Sequence, residues 1–142
     1  MQGSQTASVD LDRVAQHVCG CVARFPAVAG AYLYGSVLAR MHPASDIDVA
    51  VIVAPGLHTE LLQVLTLEAE IESKLGRWEG RPFHVTALDP KRPLFSFRPI
   101  HEGRLVYIGD EKALTDFIEQ VSRAYADLSP RYRRAVQEVL ER

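Results

Sequence analysis

The stretch Tyr34–Val53, YGSVLARMHPASDIDVAVIV, decides the fold. An apolar run, Ala31-Tyr32-Leu33-Tyr34, stops at Gly35-Ser36. A short helix-competent piece and a Pro-containing loop follow, and Asp46-Ile47-Asp48 then opens a second apolar run, Val49 to Ala54. Side chains alternate faces along a strand, so Asp46 and Asp48 point the same way. Two carboxylates about 4 Å apart repel by roughly 4 kcal/mol at an effective dielectric near 20. Either their ends are well solvated or something positive sits between them. A hard divalent cation such as Mg²⁺, held by one or two carboxylates and by substrate phosphates, fits that geometry.

Spacing adds a second constraint. Nine residues, Val37 to Ser45, separate Ser36 from Asp46, whereas a parallel crossover needs about a dozen or more. The two strands are therefore expected to be antiparallel neighbours, with Gly35-Ser36 and the aspartates at one sheet edge. Gly35 lets the backbone turn sharply and approach a ligand. Ser36 can N-cap the short helix, whose free N–H groups and positive dipole end favour a phosphate. A phosphate cradle beside a carboxylate pair suits nucleoside triphosphate chemistry.

Gly35-Ser36, nine residues and then Asp46-Ile47-Asp48 resemble the signature of the DNA polymerase β-like nucleotidyltransferase superfamily. The short chain looks most like its minimal nucleotidyltransferase branch, the antitoxin halves of HEPN–MNT toxin–antitoxin pairs. The resemblance implies that Asp46 and Asp48 bind Mg²⁺ and that Gly35 and Ser36 hold the phosphates of ATP. It also implies that Arg40 reaches the triphosphate, although the family arginine sits one position nearer the serine and the family spacer is one residue longer. Ser45, placed to cap or brace the strand start, joins the nucleotide-binding set. A third carboxylate usually stands on the third strand; by register this chain has His84 there, which can accept a proton but cannot replace a carboxylate's charge.

Composition bounds the rest. A chain of 142 residues with 47% hydrophobic and 24% charged residues reads as one soluble domain, 1–142, with 1–8 a polar tail. The formal net charge of −2 argues against a surface built for nucleic-acid backbone. No stretch has the length of a membrane span, and MQGSQTAS lacks a signal-peptide pattern, so a cytoplasmic protein is expected. Cys19 and Cys21 form C-x-C on a helix, which suits neither a zinc site nor a redox pair.

The expected architecture is α/β (α+β), a mixed, largely antiparallel four-stranded sheet with flanking helices, the nucleotidyltransferase fold that the resemblance implies. Helices are predicted at Val9–Phe25 and Leu57–Leu75, with Glu60, Glu68, Glu70 and Glu72 on the wet side of the second. His17 reads as a surface or packing histidine. Strands are predicted at Ala29–Tyr34, Asp46–Ala54, Phe83–Leu88 and Arg104–Ile108. Tyr32 and Tyr34 share a face that could form core or wall a base pocket, and core is the preferred reading. Pro90–Pro99 reads as a surface connection with Phe95 and Phe97 buried; in a sharper reading Lys91, Arg92 or Arg98 touches phosphate. Two C-terminal helices fill 111–142, broken at Ser129-Pro130, so that Arg131, Arg133 and Arg134 crowd a helix start where the dipole disfavours cations.

For function, the resemblance implies transfer of AMP from ATP to a hydroxyl acceptor, presented by a partner HEPN-family toxin because the chain has no second domain to hold one. Two alternatives stand beside it. One is a catalytically weak module of the same fold that neutralises its partner by complex formation. The other is an aminoglycoside-like nucleotidyltransferase acting on a small molecule as its own homo-oligomer.

Overall fold

The computed structural model describes residues 9–38, 45–56 and 60–141. Helix α1 (Leu11–Val22) leads to β1 (Val28–Tyr34), a 3-10 turn (Gly35–Leu38), β2 (Ile47–Val53) and α2 (Leu61–Leu75). Strands β3 (Arg77–Trp78) and β4 (Arg81–Ala87), helix α3 (Pro93–Glu102), strand β5 (Arg104–Ile108) and helix α4 (Glu111–Leu140) complete the chain. Among the described residues no helix is long and apolar enough to cross a membrane.

The sheet is mixed and runs β3-β4-β2-β1-β5. It has five strands rather than four, because Arg77-Trp78 turns back through Glu79-Gly80 and pairs with Arg81-Pro82. β1 and β2 are antiparallel, as the nine-residue spacer requires, while β2 and β4 are parallel with α2 as the crossover. The two central strands, β1 and β2, bury both faces. Leu33, Val49, Val51 and Val85 pack under α1 and α2, which contribute Val14, Val18, Leu67 and Ile71. Tyr32, Ala50 and Ile52 pack under α4 through Leu114, Phe117 and Val121.

Local chemistry explains the helices. Asp10 caps α1 by accepting from the Arg13 N–H at 3.3 Å, and Val14, Val18 and Val22 follow on one face. His17 packs as expected: its Nε2 lies 2.9 Å from the Leu75 carbonyl, with the Trp78 ring 5.3 Å away. Pro90–Pro99 is not a plain connection. Pro93 stands in the first turn of α3, where its fixed φ and missing N–H suit a helix start. On that helix Phe95 faces outward at 53% exposed, with Arg92 over its ring, whereas Phe97 stacks on Tyr125 of α4.

Two further expectations change. α4 is one continuous helix through Pro130, so Arg131, Arg133 and Arg134 sit mid-helix rather than at a helix start, and the dipole argument lapses. α2 buries Leu67, Ile71 and Leu75, at four-residue spacing, but leaves Leu61 and Leu62 73% and 75% exposed. Leu57 of the predicted helix lies outside the described residues.

Glu68 and Glu72 are not simply solvated. Val85 N–H donates to Glu72 Oε2 at 2.8 Å and Ala87 N–H to Glu68 Oε2 at 2.7 Å. β3 pairs only the first two residues of β4, so these side chains fill the place of a neighbouring strand. Glu72→Ala is expected to cost about 1–3 kcal/mol in urea unfolding, since it strands a part-buried donor. Glu72→Gln, which keeps an acceptor, should recover most of that. A loss near zero for Glu72→Ala would mean that the bond contributes nothing.

Candidate functional site

The register lays three elements side by side. In β1/β2 Tyr34 faces Asp48, and in β2/β4 Asp48 faces His84. Tyr34, Asp48 and His84 therefore form one row across the sheet, on the face that α4 covers further along. Beyond Tyr34 the chain turns at Gly35, whose φ of +78° favours glycine. A Cβ built there would stand 2.7 Å from Asp48 Oδ2, so the missing side chain leaves room for the carboxylate.

Asp48 is part-buried and His84 is open to solvent, their side chains 28% and 58% exposed, with His84 Nδ1 3.4 Å from Asp48 Oδ1. Burial pushes the Asp48 carboxyl above its ordinary value. The hydrogen bond and charge of His84 pull it down, and the charge of Asp46 pushes it up again. Asp46 lies exposed immediately before β2 and near enough for its charge to register on Asp48. Burial likewise raises the Tyr34 hydroxyl; a hydrogen bond with Thr86 lowers it and the Asp48 charge adds to the rise. Ser36 lies part-buried in the 3-10 turn and Ser45 part-buried just ahead of Asp46. Arg40 lies outside the described residues.

Tyr34 and Thr86 are the neighbours that sequence reasoning passed over. Tyr34 reads as core in the alternation, yet it sits directly across from Asp48. The pairing implied by the short spacer was the signal that could have found it, since it sets the end of one strand beside the start of the next.

Among the described residues no group of three His, Cys, Asp or Glu side chains is arranged to close around a metal ion. The donors present still fit Mg²⁺. That ion takes one or two carboxylates and completes its shell with water and substrate phosphates. Asp46 and Asp48 supply hard oxygen donors, burial and mutual repulsion both disfavour the ionised state of Asp48, and Gly35 leaves the space beside it clear. His84 is a softer ligand that suits other metals better. Two surface clefts, one along α4 at Asp116 and Arg123 and one between α1 and β5 at Cys19 and Leu105, do not include this row.

The family model described as polymerase beta, nucleotidyltransferase matches residues 18–112. No curated protein matches the chain in sequence. Among solved structures, one of the tri-AMPylated Shewanella oneidensis HEPN toxin in complex with MNT antitoxin superimposes with a TM-score of 0.63 at 15% identity, over 91% of this chain and 98% of that one. A mutant MntA–HepT toxin–antitoxin complex gives 0.67 at 15% identity, over 89% and 98%. A toxin–antitoxin complex with AMP-PNP gives 0.62 at 14% identity, again over 89% and 98%. At such identities the likeness is one of fold.

Proposed function

The chain belongs to the polymerase beta nucleotidyltransferase family, and we propose that it transfers AMP from ATP to a hydroxyl of a partner HEPN-family toxin in the cytoplasm, as an antitoxin. The observation that carries this reading is that the Gly35 turn abuts Asp48, which pairs across the sheet with His84. The partner is supported by the solved structures of the same fold, which are toxin–antitoxin complexes, one with an AMPylated HEPN toxin and one with AMP-PNP.

Each residue takes a part. Asp46 and Asp48 would hold Mg²⁺, which when bound neutralises phosphate charge. Gly35 admits the triphosphate close to the backbone, Ser36 orients it from the adjoining turn, and Ser45 braces the approach to β2. Arg40 is assigned to the triphosphate on the family pattern alone. The attacking hydroxyl of the partner bonds to the α-phosphorus and pyrophosphate leaves. His84, with Nδ1 toward Asp48, presents its other ring nitrogen to take the proton of that hydroxyl.

One observation favours a second reading. On the family register His84 takes the position of an acid, and it lies across from Asp48. On that basis the chain would bind its partner and neutralise it by occupancy, with little or no transfer. Incubation with labelled ATP, Mg²⁺ and a co-expressed HEPN protein separates the two. Transfer predicts label on the partner, abolished by EDTA, and a rate that rises about tenfold or more in His84→Asp. A tight complex that never acquires label, in the wild type or in His84→Asp, would establish the binding module instead.

A further inference from the structure

Helix α4 seats Leu114, Phe117 and Val121 on the domain, and the same stripe runs on at three- and four-residue spacing through Tyr125, Leu128, Tyr132, Ala135 and Val139. The protein does not cover its second half. From Pro130 to Glu141 every residue is exposed. Tyr132 and Val139 stand 57% and 62% open, and Leu140 79%. A free helical arm of this length is marginal in water, and an apolar stripe on it is a face that packing would stabilise.

Charge identifies the occupant. Arg131 and Glu138 stand seven residues apart, two turns along one flank of the stripe. Lay a second copy antiparallel, with Tyr132 of each arm over Ala135 of the other. Arg131 of each then lies beside Glu138 of the other, at both ends of the seam, and Leu128 meets Val139. Bulk meets a small residue in the central layers and unlike charges meet on the flanks. A parallel pair would set Arg131 against Val136 and form neither ion pair. The antiparallel arrangement is isologous, so it closes at two copies and builds no open array.

We propose that the exposed half of α4 is a dimerisation arm that pairs antiparallel with the same arm of a second copy of this chain. Two arms give an interface at the small end of the specific range, so a dissociation constant of about 10⁻⁵ M is expected. Nothing in this depends on the transfer reaction.

Sedimentation equilibrium of the full chain over about 1–500 μM tests it. The mass should climb from 15.8 kDa toward twice that value, with far-UV helicity rising in step as the arms order. Val139→Glu should hold the chain monomeric. Arg131→Glu and Glu138→Arg should each weaken association about threefold to tenfold, and the two together should restore it, as an interchain ion pair demands. All three positions are exposed, so the domain should keep its circular dichroism and melting temperature. A monomer at every concentration overturns the proposal. So does a dimer indifferent to Val139→Glu, a double variant weaker than either single one, or an arm that engages a HEPN protein while the chain alone stays monomeric.

Discussion

Asp48→Asn is expected to lower nucleotide transfer by about 10²-fold or more while leaving the melting temperature at neutral pH at or above that of the wild type. The two effects have one origin. Burial, with the charge of Asp46 adding to it, holds the Asp48 carboxyl above its ordinary value in the folded protein. The native state thus binds that proton more tightly than the unfolded chain does. Its contribution to stability is present in full at acid pH, falls as pH rises through the unfolded value of about 4 toward the raised folded one, and is gone above it. At pH 7 the ionised carboxylate is therefore a standing cost, and an amide of the same shape removes it while still accepting from His84. Thermal melts of both proteins between pH 4 and 8, paired with transfer assays, check this. A variant several degrees less stable at pH 7 would show that the carboxylate is satisfied from within the protein, and retained transfer would remove Asp48 from the site.

Gly35→Ala should damage both stability and transfer. Its φ of +78° is a conformation that costs a side-chain-bearing residue about 1–3 kcal/mol, or very roughly 4 °C per kcal/mol in a domain of this size. The new methyl would also stand 2.7 Å from Asp48 Oδ2, so the carboxylate must move and the path for a phosphate narrows. Transfer should fall about 10²-fold, most of it as a raised KM for ATP. Gly76 is the control. It has a φ of +68° with nothing within 4 Å of a built Cβ, so Gly76→Ala should show the strain without the loss of transfer. Equal transfer by the two variants would detach Gly35 from nucleotide binding.

Much of this site could be read in advance because its chemistry is local. A period of two fixes that Asp48 and its alternates share a face, and a spacer too short for a crossover fixes which strands pair. His84 comes only from the register of the family that the chain resembles, and β2/β4 pairing sets it across from Asp48. The unread parts depend on distant partners. Two residues of β3 are too short to carry a pattern of their own, and they pair only because Glu79-Gly80 folds them back. The prolines around α3 read as loop because proline ends helices, yet Pro93 in the first turn is an initiator. Pro130 reads as a break, but the surrounding residues continue the helix through it. Glu68 and Glu72 look like a wet face until β4 lies alongside with donors to fill.

Those two glutamates also govern how the molecule fails. While α2 is seated, the outer rim of β4 cannot recruit a foreign strand beyond the two residues that β3 already takes. If α2 peels away, the same event bares Val85 N–H and Ala87 N–H together with the apolar surface that Leu67, Ile71 and Leu75 had covered. A row of hungry donors beside a greasy face is the template on which intermolecular sheets grow. Fraying of this one helix is then the event expected to expose an edge open to intermolecular pairing.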